Sequence, residues 1–209
     1  MKRILIVDDH EVLRDGVKRV FEDEPVTTIF GEAGTAEEAI KLVREQDWDI
    51  VVLDISLGDR SGLQLLKQLK EIRARLPVLI LSMHSGEQFA RRAFKTGASG
   101  YITKSSPRLE LVKAVNKVMS GGRYVSAALA ENLIFDRESD SGSPHEALSN
   151  REFEVLSLIA SGKTVREIAE LISLSDSTIS TYRARILEKM GMRTNAELTH
   201  YAIHNRLVE

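Results

Sequence analysis

The segment LIVDDHEVLRDG, residues 5 to 16, runs from an apolar stretch straight into two adjacent carboxylates, Asp8 and Asp9, and then His10. Neighbouring carboxylates repel one another and resist desolvation unless a cation or water compensates them, so the pair marks a place that wants positive charge. Three more apolar runs end in polar groups: VVL in Asp54, VLIL in Ser82 and YIT in Lys104. If these runs are parallel strands of one open sheet, the groups share the edge where such sheets bind ligands, beyond the strand carboxyl ends. Three carboxylates meeting there make a hard-oxygen site suited to Mg2+, with Lys104 as compensating charge and Ser82 as hydroxyl donor. The chemistry this set supports is phosphoryl transfer to a carboxylate, in which a cation neutralises the phosphoryl oxygens while the nucleophile is held in line. Asp54 is the acceptor on this reading, because it ends the strand expected at the centre of the sheet and precedes the loop ISLGDRSG. Asp8 and Asp9 hold the metal.

Bringing those ends together requires the elements between them to be crossovers. Short β-type runs at 3–8, 27–33, 49–53, 77–82 and 100–103 alternate with helical patterns at 11–22, 35–46, 61–75, 86–96 and 107–120. Five such βα units in series predict a parallel sheet with helices on both faces. IVVL and PVLIL are apolar at every position, as interior strands require.

The stretch DRESDSGSPHE, residues 136 to 146, has no apolar residue and reads as a linker. After it the pattern is helical only. Three helix starts carry a capping box, Ser149 with Glu152, Thr164 with Glu167 and Thr194 with Glu197, and a fourth helix, about Ser175 to Met190, offers Ser175 or Asp176 as its N-cap. Val155, Leu158 and Ile159, then Ile168 and Leu171, then Ile179, Ile186 and Met190 form three apolar stripes, with the short connection SLS between the second and third. That is helix-turn-helix geometry, one helix across the DNA backbone and the next in the major groove. In the last helix, Ala196, Tyr201, Ala202 and Ile203 suit either the domain's own core or a homodimer contact.

Composition sets outer bounds. A chain of 209 residues with 43% hydrophobic and 29% charged residues is globular, and its length suits two ordinary domains. It has no cysteine, which removes disulfides and thiolate zinc sites. The apolar stretch in MKRILIVDD is too short for a signal peptide or a membrane span, so the expectation is a cytoplasmic protein with no membrane partner. Net charge is −2, and residues 145–209 hold 8 Lys and Arg against 9 Asp and Glu, so a case for DNA rests on local arrangement. Residues 176–193 do concentrate positive charge, with Arg183, Arg185, Lys189 and Arg193 against Asp176 and Glu188. With Ile179, Ile186 and Met190 inward, Ser180, Thr181, Ala184, Arg185 and Glu188 face outward, with Arg183 and Lys189 at the flanks.

MKRILIVDDHEVLRDG, VVLDISLGDRSGLQLL, LILSMHSGE and GASGYITKSS resemble the receiver domain of bacterial two-component response regulators over about residues 1–122. The resemblance implies a flavodoxin-like fold, Asp54 as phospho-acceptor for a sensor histidine kinase, and Asp8, Asp9, Asp54 and the carbonyl of Ser56 as ligands of Mg2+. It also implies Lys104 and Ser82 on the phosphoryl group, with Ser82 and Tyr101 as a coupled switch. The common Met-Pro after the acceptor is Leu57-Gly58 here, and the proline that often follows the lysine is Ser105.

ALSNREFEVLSLIASGKTVREIAELISLSDSTISTYRARILEKMGM resembles the LuxR-type helix-turn-helix of the NarL/FixJ subfamily. It implies Ser180, Thr181 and Ala184 as base-facing positions, with Arg166, Arg183, Arg185 and Lys189 on phosphates of double-stranded DNA. The usual T-V-K is Thr178-Ile179-Ser180 here, and Tyr182 replaces the usual histidine. The expected layout is a receiver at 1–122, a connecting helix and linker at 123–146, and an all-α four-helix DNA-binding domain at 147–209. The function expected is phosphorylation-dependent transcription regulation by a homodimer, with no catalysis beyond its own phosphorylation and dephosphorylation. A receiver-controlled protein-interaction module is the alternative. An aspartyl phosphohydrolase is disfavoured because the second position after Asp54 is Ser56, not aspartate, and a dinucleotide fold because no G-x-G-x-x-G follows the first strand.

Overall fold

The computed structural model describes residues 1–22, 24–57, 60–83, 87–126, 129–130, 143–205 and 207–208. Residues 131–142, half of the expected connecting helix and linker, lie outside the described residues. The chain forms two compact units, the first taking in Met1–Ser85 and Phe89–Asn132 and the second Gly86–Gln88 and Leu133–Glu209.

In the first unit the strands are β1 (Lys2–Val7), β2 (Thr28–Ala33), β3 (Ile50–Asp54), β4 (Ser56–Leu57), β5 (Arg60–Ser61), β6 (Val78–Ser82) and β7 (Gly100–Thr103). Its helices are α1 (Glu11–Val20), α2 (Ala36–Glu45), α3 (Gly62–Ile72), α4 (Glu87–Thr96) and α5 (Arg108–Met119). Five strands pair in parallel in the order β2-β1-β3-β6-β7, so the strand order reverses between β1 and β3. This is the flavodoxin-like α/β fold, with its ligand crevice at that reversal. Every residue of β3 and β6 is buried, because parallel crossovers cover both faces of the central strands. Alternate residues Ile4, Ile6, Ile50, Val52, Leu79 and Leu81 pack with Val17 and Phe21 of the α1 region and Leu111, Ala114 and Val118 of α5 in one core. Tyr124 lies beyond α5, yet it bridges to Gly100 and extends the β7 edge, so the segment expected to connect the domains begins on the sheet.

Among its described residues the second unit has a 3-10 turn, Pro144–Ala147, followed by α6 (Asn150–Ala160), α7 (Val165–Leu171), α8 (Asp176–Met190) and α9 (Asn195–His204). Both halves of the capping box form at Ser149/Glu152 and Thr164/Glu167. The third expected box is only half made: Thr194 accepts from the Glu197 N–H, while the Glu197 carboxylate takes the Arg193 N–H at 2.8 Å instead. Ser175, not Asp176, caps α8, and Gly191 closes it in the left-handed conformation at φ 65. Leu171, expected inward, is 51% exposed; Ile172, one full turn after Ile168, is buried in its place. In α9 the core side chains are Leu198 and Ala202, whereas Ile203 is exposed.

Candidate functional site

Asp54 is the last residue of β3, in register with Leu81 of β6. Asp8 follows β1 directly, and its N–H donates to the Ala33 carbonyl at 3.1 Å, tying the turn to the end of β2. Lys104 follows β7, its N–H donating to the Ser82 carbonyl at 2.7 Å. Parallel strands end on one edge, so residues up to 96 positions apart meet there. The Lys104 ammonium stands 2.9 Å from Asp8 Oδ2 and 2.7 Å from Asp54 Oδ2, and both carboxylate residues are only 2% exposed. The other oxygens are held by backbone: the His10 N–H donates to Asp8 Oδ1 at 2.9 Å and the Ser56 N–H to Asp54 Oδ1 at 3.2 Å. His10 Nδ1 lies 2.8 Å from Asp9 Oδ1 and 3.2 Å from Asp8 Oδ1. One ligand atom each from Asp8, Asp9, His10 and Asp54 lies within 4.8 Å of the other three.

Burial pushes the Asp54 carboxyl up to about 6, with the Asp8 charge adding to the rise and Lys104 opposing it. For Lys104, burial pulls the ammonium down, but Asp54 and Asp8 together outweigh it and the net shift is upward. Two buried carboxylates therefore share one ammonium, with the Asp9 carboxylate close by. A crevice where oxygen donors converge in this way fits a small hard dication.

Several contributors were not legible as site residues. Arg14 donates from Nη1 to the Asp8 carbonyl at 2.8 Å and from Nε to Glu32 at 3.1 Å, bracing the acidic turn from α1. Gly62 opens α3 so close to β3 that a Cβ would lie 2.1 Å from the Asp54 carbonyl oxygen, so only glycine lets that helix start there. The loop after Asp54 is a small antiparallel pair, β4 with β5. The signal for Gly62 was the Ser-Gly of DRSG, which reads equally as an ordinary turn. Ser82 and Tyr101 are both fully buried, on adjacent strands.

In the second unit, Ser180, Thr181, Ala184 and Arg185 share the exposed face of α8, opposite buried Ile179, Ile186 and Met190. The connection between α7 and α8 places Ser173 in the left-handed region at φ 53. Arg166 pairs with Glu170 at 3.2 Å and Arg183 Nε donates to Asn195 Oδ1 at 2.5 Å. Lys189 donates to the buried Glu152 carboxylate at 2.6 Å, so this cation also serves the domain's own packing.

An acid-lined α/β sheet followed by a helix-turn-helix unit defines a receiver joined to a DNA-binding domain. The chain belongs to the response regulators: residues 4–116 match the response regulator receiver domain and residues 146–202 match the luxR family of bacterial regulatory proteins. It is a two-component transcription regulator of the NarL/FixJ type. It is 32% identical to the response regulator UvrY of Escherichia coli K12, over 99% of this chain and 96% of that one. A LuxR-family two-component response regulator from Aurantimonas shares 39% identity, covering 65% of this chain and 96% of that chain at a TM-score of 0.60. A structure of the response regulator RcsB of Salmonella typhimurium, described by its conformational dynamism for DNA interaction, shares 26% identity, covering 96% and 98% at a TM-score of 0.59.

Proposed function

We propose that Asp54 accepts a phosphoryl group from a phosphohistidine on a sensor kinase, and that this controls DNA binding by the second unit. The observation that carries the reading is that buried Asp54 meets Asp8 across one shared ammonium, that of Lys104, at the edge where the parallel strands end, with Asp9 beside them. Asp8, Asp9 and Asp54, with the Ser56 carbonyl, would hold Mg2+, which when bound supplies the missing charge opposite the phosphoryl oxygens. The Asp54 carboxylate oxygen attacks phosphorus, the P–N bond breaks, and the imidazole leaves with that electron pair. The Ser56 N–H fixes the attacking carboxylate. Lys104, which in this structure bridges Asp8 and Asp54, pairs with the new phosphoryl oxygens, and Ser82 donates its hydroxyl to them. Ser82 and Tyr101 form the switch, since a buried serine drawn toward phosphate leaves space that a buried ring beside it can enter.

The receiver is assigned to residues 1–122, the connecting segment to 123–146 and the DNA-binding domain to 147–209. The partners are a sensor histidine kinase and double-stranded DNA, with a homodimer as the phosphorylated form and the cytoplasm as the compartment. Among the described residues no helix is long and apolar enough to cross a membrane. On DNA, α8 lies in the major groove with Ser180, Thr181 and Ala184 over bases, and Arg166, Arg183, Arg185 and Lys189 on phosphates. The direct test is labelling with acetyl phosphate in Mg2+. Wild type should take up one phosphoryl group and Asp54→Asn none; undiminished labelling of Asp54→Asn would move the acceptor elsewhere.

A further inference from the structure

The outward face of α8 carries a bias toward one kind of base pair. Ser177, Ser180, Thr181, Ala184, Arg185 and Glu188 are all exposed and recur at helical spacing, forming one continuous face. At its centre both hydroxyl protons are already spent on the helix itself. Ser180 Oγ donates to the Asp176 carbonyl at 2.8 Å, and Thr181 Oγ1 donates to the Ser177 carbonyl at 2.9 Å. These residues therefore offer the groove accepting oxygens and methyl groups, with no donor and no cation until Arg185. In the major groove guanine presents only acceptors, N7 and O6, whereas an A·T pair presents the adenine N6 amino donor and the thymine C5 methyl. An accepting oxygen and a methyl group are both satisfied by A·T. A G·C pair offers them one amino donor on cytosine and no methyl.

We propose that the base steps beneath Ser180, Thr181 and Ala184 are read as A·T, with the thymine methyl against Thr181 and Ala184 and the adenine amino group on the hydroxyl oxygens. The inference rests on the reading of α8 as the groove helix. Arg185 lies one turn beyond and marks the edge of the methyl-reading patch.

The test is selection from a random duplex library with the full-length chain activated by beryllofluoride, followed by titration of the selected site. The expected result is a motif whose central half-site steps are A·T. Replacing thymine by deoxyuridine there should weaken binding about fourfold per methyl, the equivalent of one buried methylene. Thr181→Ser, which keeps the hydroxyl and removes the methyl, should lose the thymine-over-uracil difference at its step. Ser180→Lys supplies a donor and should bring guanine into the selected motif. A wild-type motif with G·C at those steps, or indifference to deoxyuridine, overturns the inference and leaves the groove reading standing. Binding that falls steeply with salt but selects no motif overturns both.

Discussion

Among the described residues each unit buries two carboxylates, and they are compensated in different ways. In the receiver, Asp8 and Asp54 share the single ammonium of Lys104, with Asp9 close by. In the DNA-binding domain, Glu152 has Lys189 at 2.6 Å and Glu154 has Arg151 at 2.7 Å, one cation for each acid. The consequence shows in the direction of the shifts. Burial lifts Asp54 to about 6, whereas for Glu152 burial is outweighed by Lys189 and the Ser149 N–H, and its carboxyl sits below the ordinary range. Balanced acids are scaffold. Two buried acids that share one cation, one of them raised toward neutral pH, have the character of a functional site.

The largest effect is expected where balance is broken. Arg151 also donates from Nη2 to the Ile172 carbonyl at 3.0 Å, so Arg151→Met removes a charged partner from buried Glu154 and a donor from a helix end. Urea unfolding should show a loss of about 3–5 kcal/mol. Removing Glu154 as well, in Arg151→Met with Glu154→Leu, should recover much of it. If the single variant unfolds like wild type, the pair is not scaffold.

Breaking the imbalance should do the reverse. Asp54→Asn removes a buried charge that is poorly compensated without metal, and should stabilise the metal-free receiver by roughly 3 kcal/mol at pH 7, from the rise toward 6. The same substitution should shrink the stabilisation that added Mg2+ gives wild type. Equal response of the two proteins to Mg2+ would place the cation away from Asp54.

The pH dependence separates the units further, because the signs differ. Asp54 is raised when folded, so below its unfolded value near 3.8 its contribution is fully favourable, and that is lost as pH rises through about 6. Glu152 is lowered when folded, so its contribution is present above 4.5 and lost as pH falls through its folded value. Calorimetry of the metal-free chain should resolve two transitions moving oppositely across the acid range. Asp54→Asn should flatten one and Glu152→Gln the other. The smallest effect is a control that touches no charge: Ser173→Gly, at φ 53 in the connection before α8, should add about 0.5–1 kcal/mol to the second transition alone.

The parts read from sequence were those set by local chemistry. Strand runs, helix periods and two of three capping boxes follow from spacing, and the residues that end β1, β3, β6 and β7 mark the acidic edge. The misses share a cause. Leu171 and Ile172 are both apolar at a helix end, and only packing selects which turns inward. Glu197 satisfies the capping-box spelling, but a neighbouring N–H at Arg193 competes for its carboxylate. Gly62 resembles any turn glycine until the backbone of Asp54 is placed against it.

By itself the sequence determined that this is a receiver with a helix-turn-helix domain, and which acids, hydroxyl and lysine end its strands, because residue type and period act over a few positions. The tertiary structure decided the charge accounts: that Lys104 serves two carboxylates at once, that Lys189 is engaged with Glu152, and that the α8 hydroxyls are spent on their own helix. Counting charge or donors at a site requires knowing who stands within 3 Å of whom. Residues such as Asp8 and Lys104, 96 positions apart in the chain, acquire that relation only when the sheet closes.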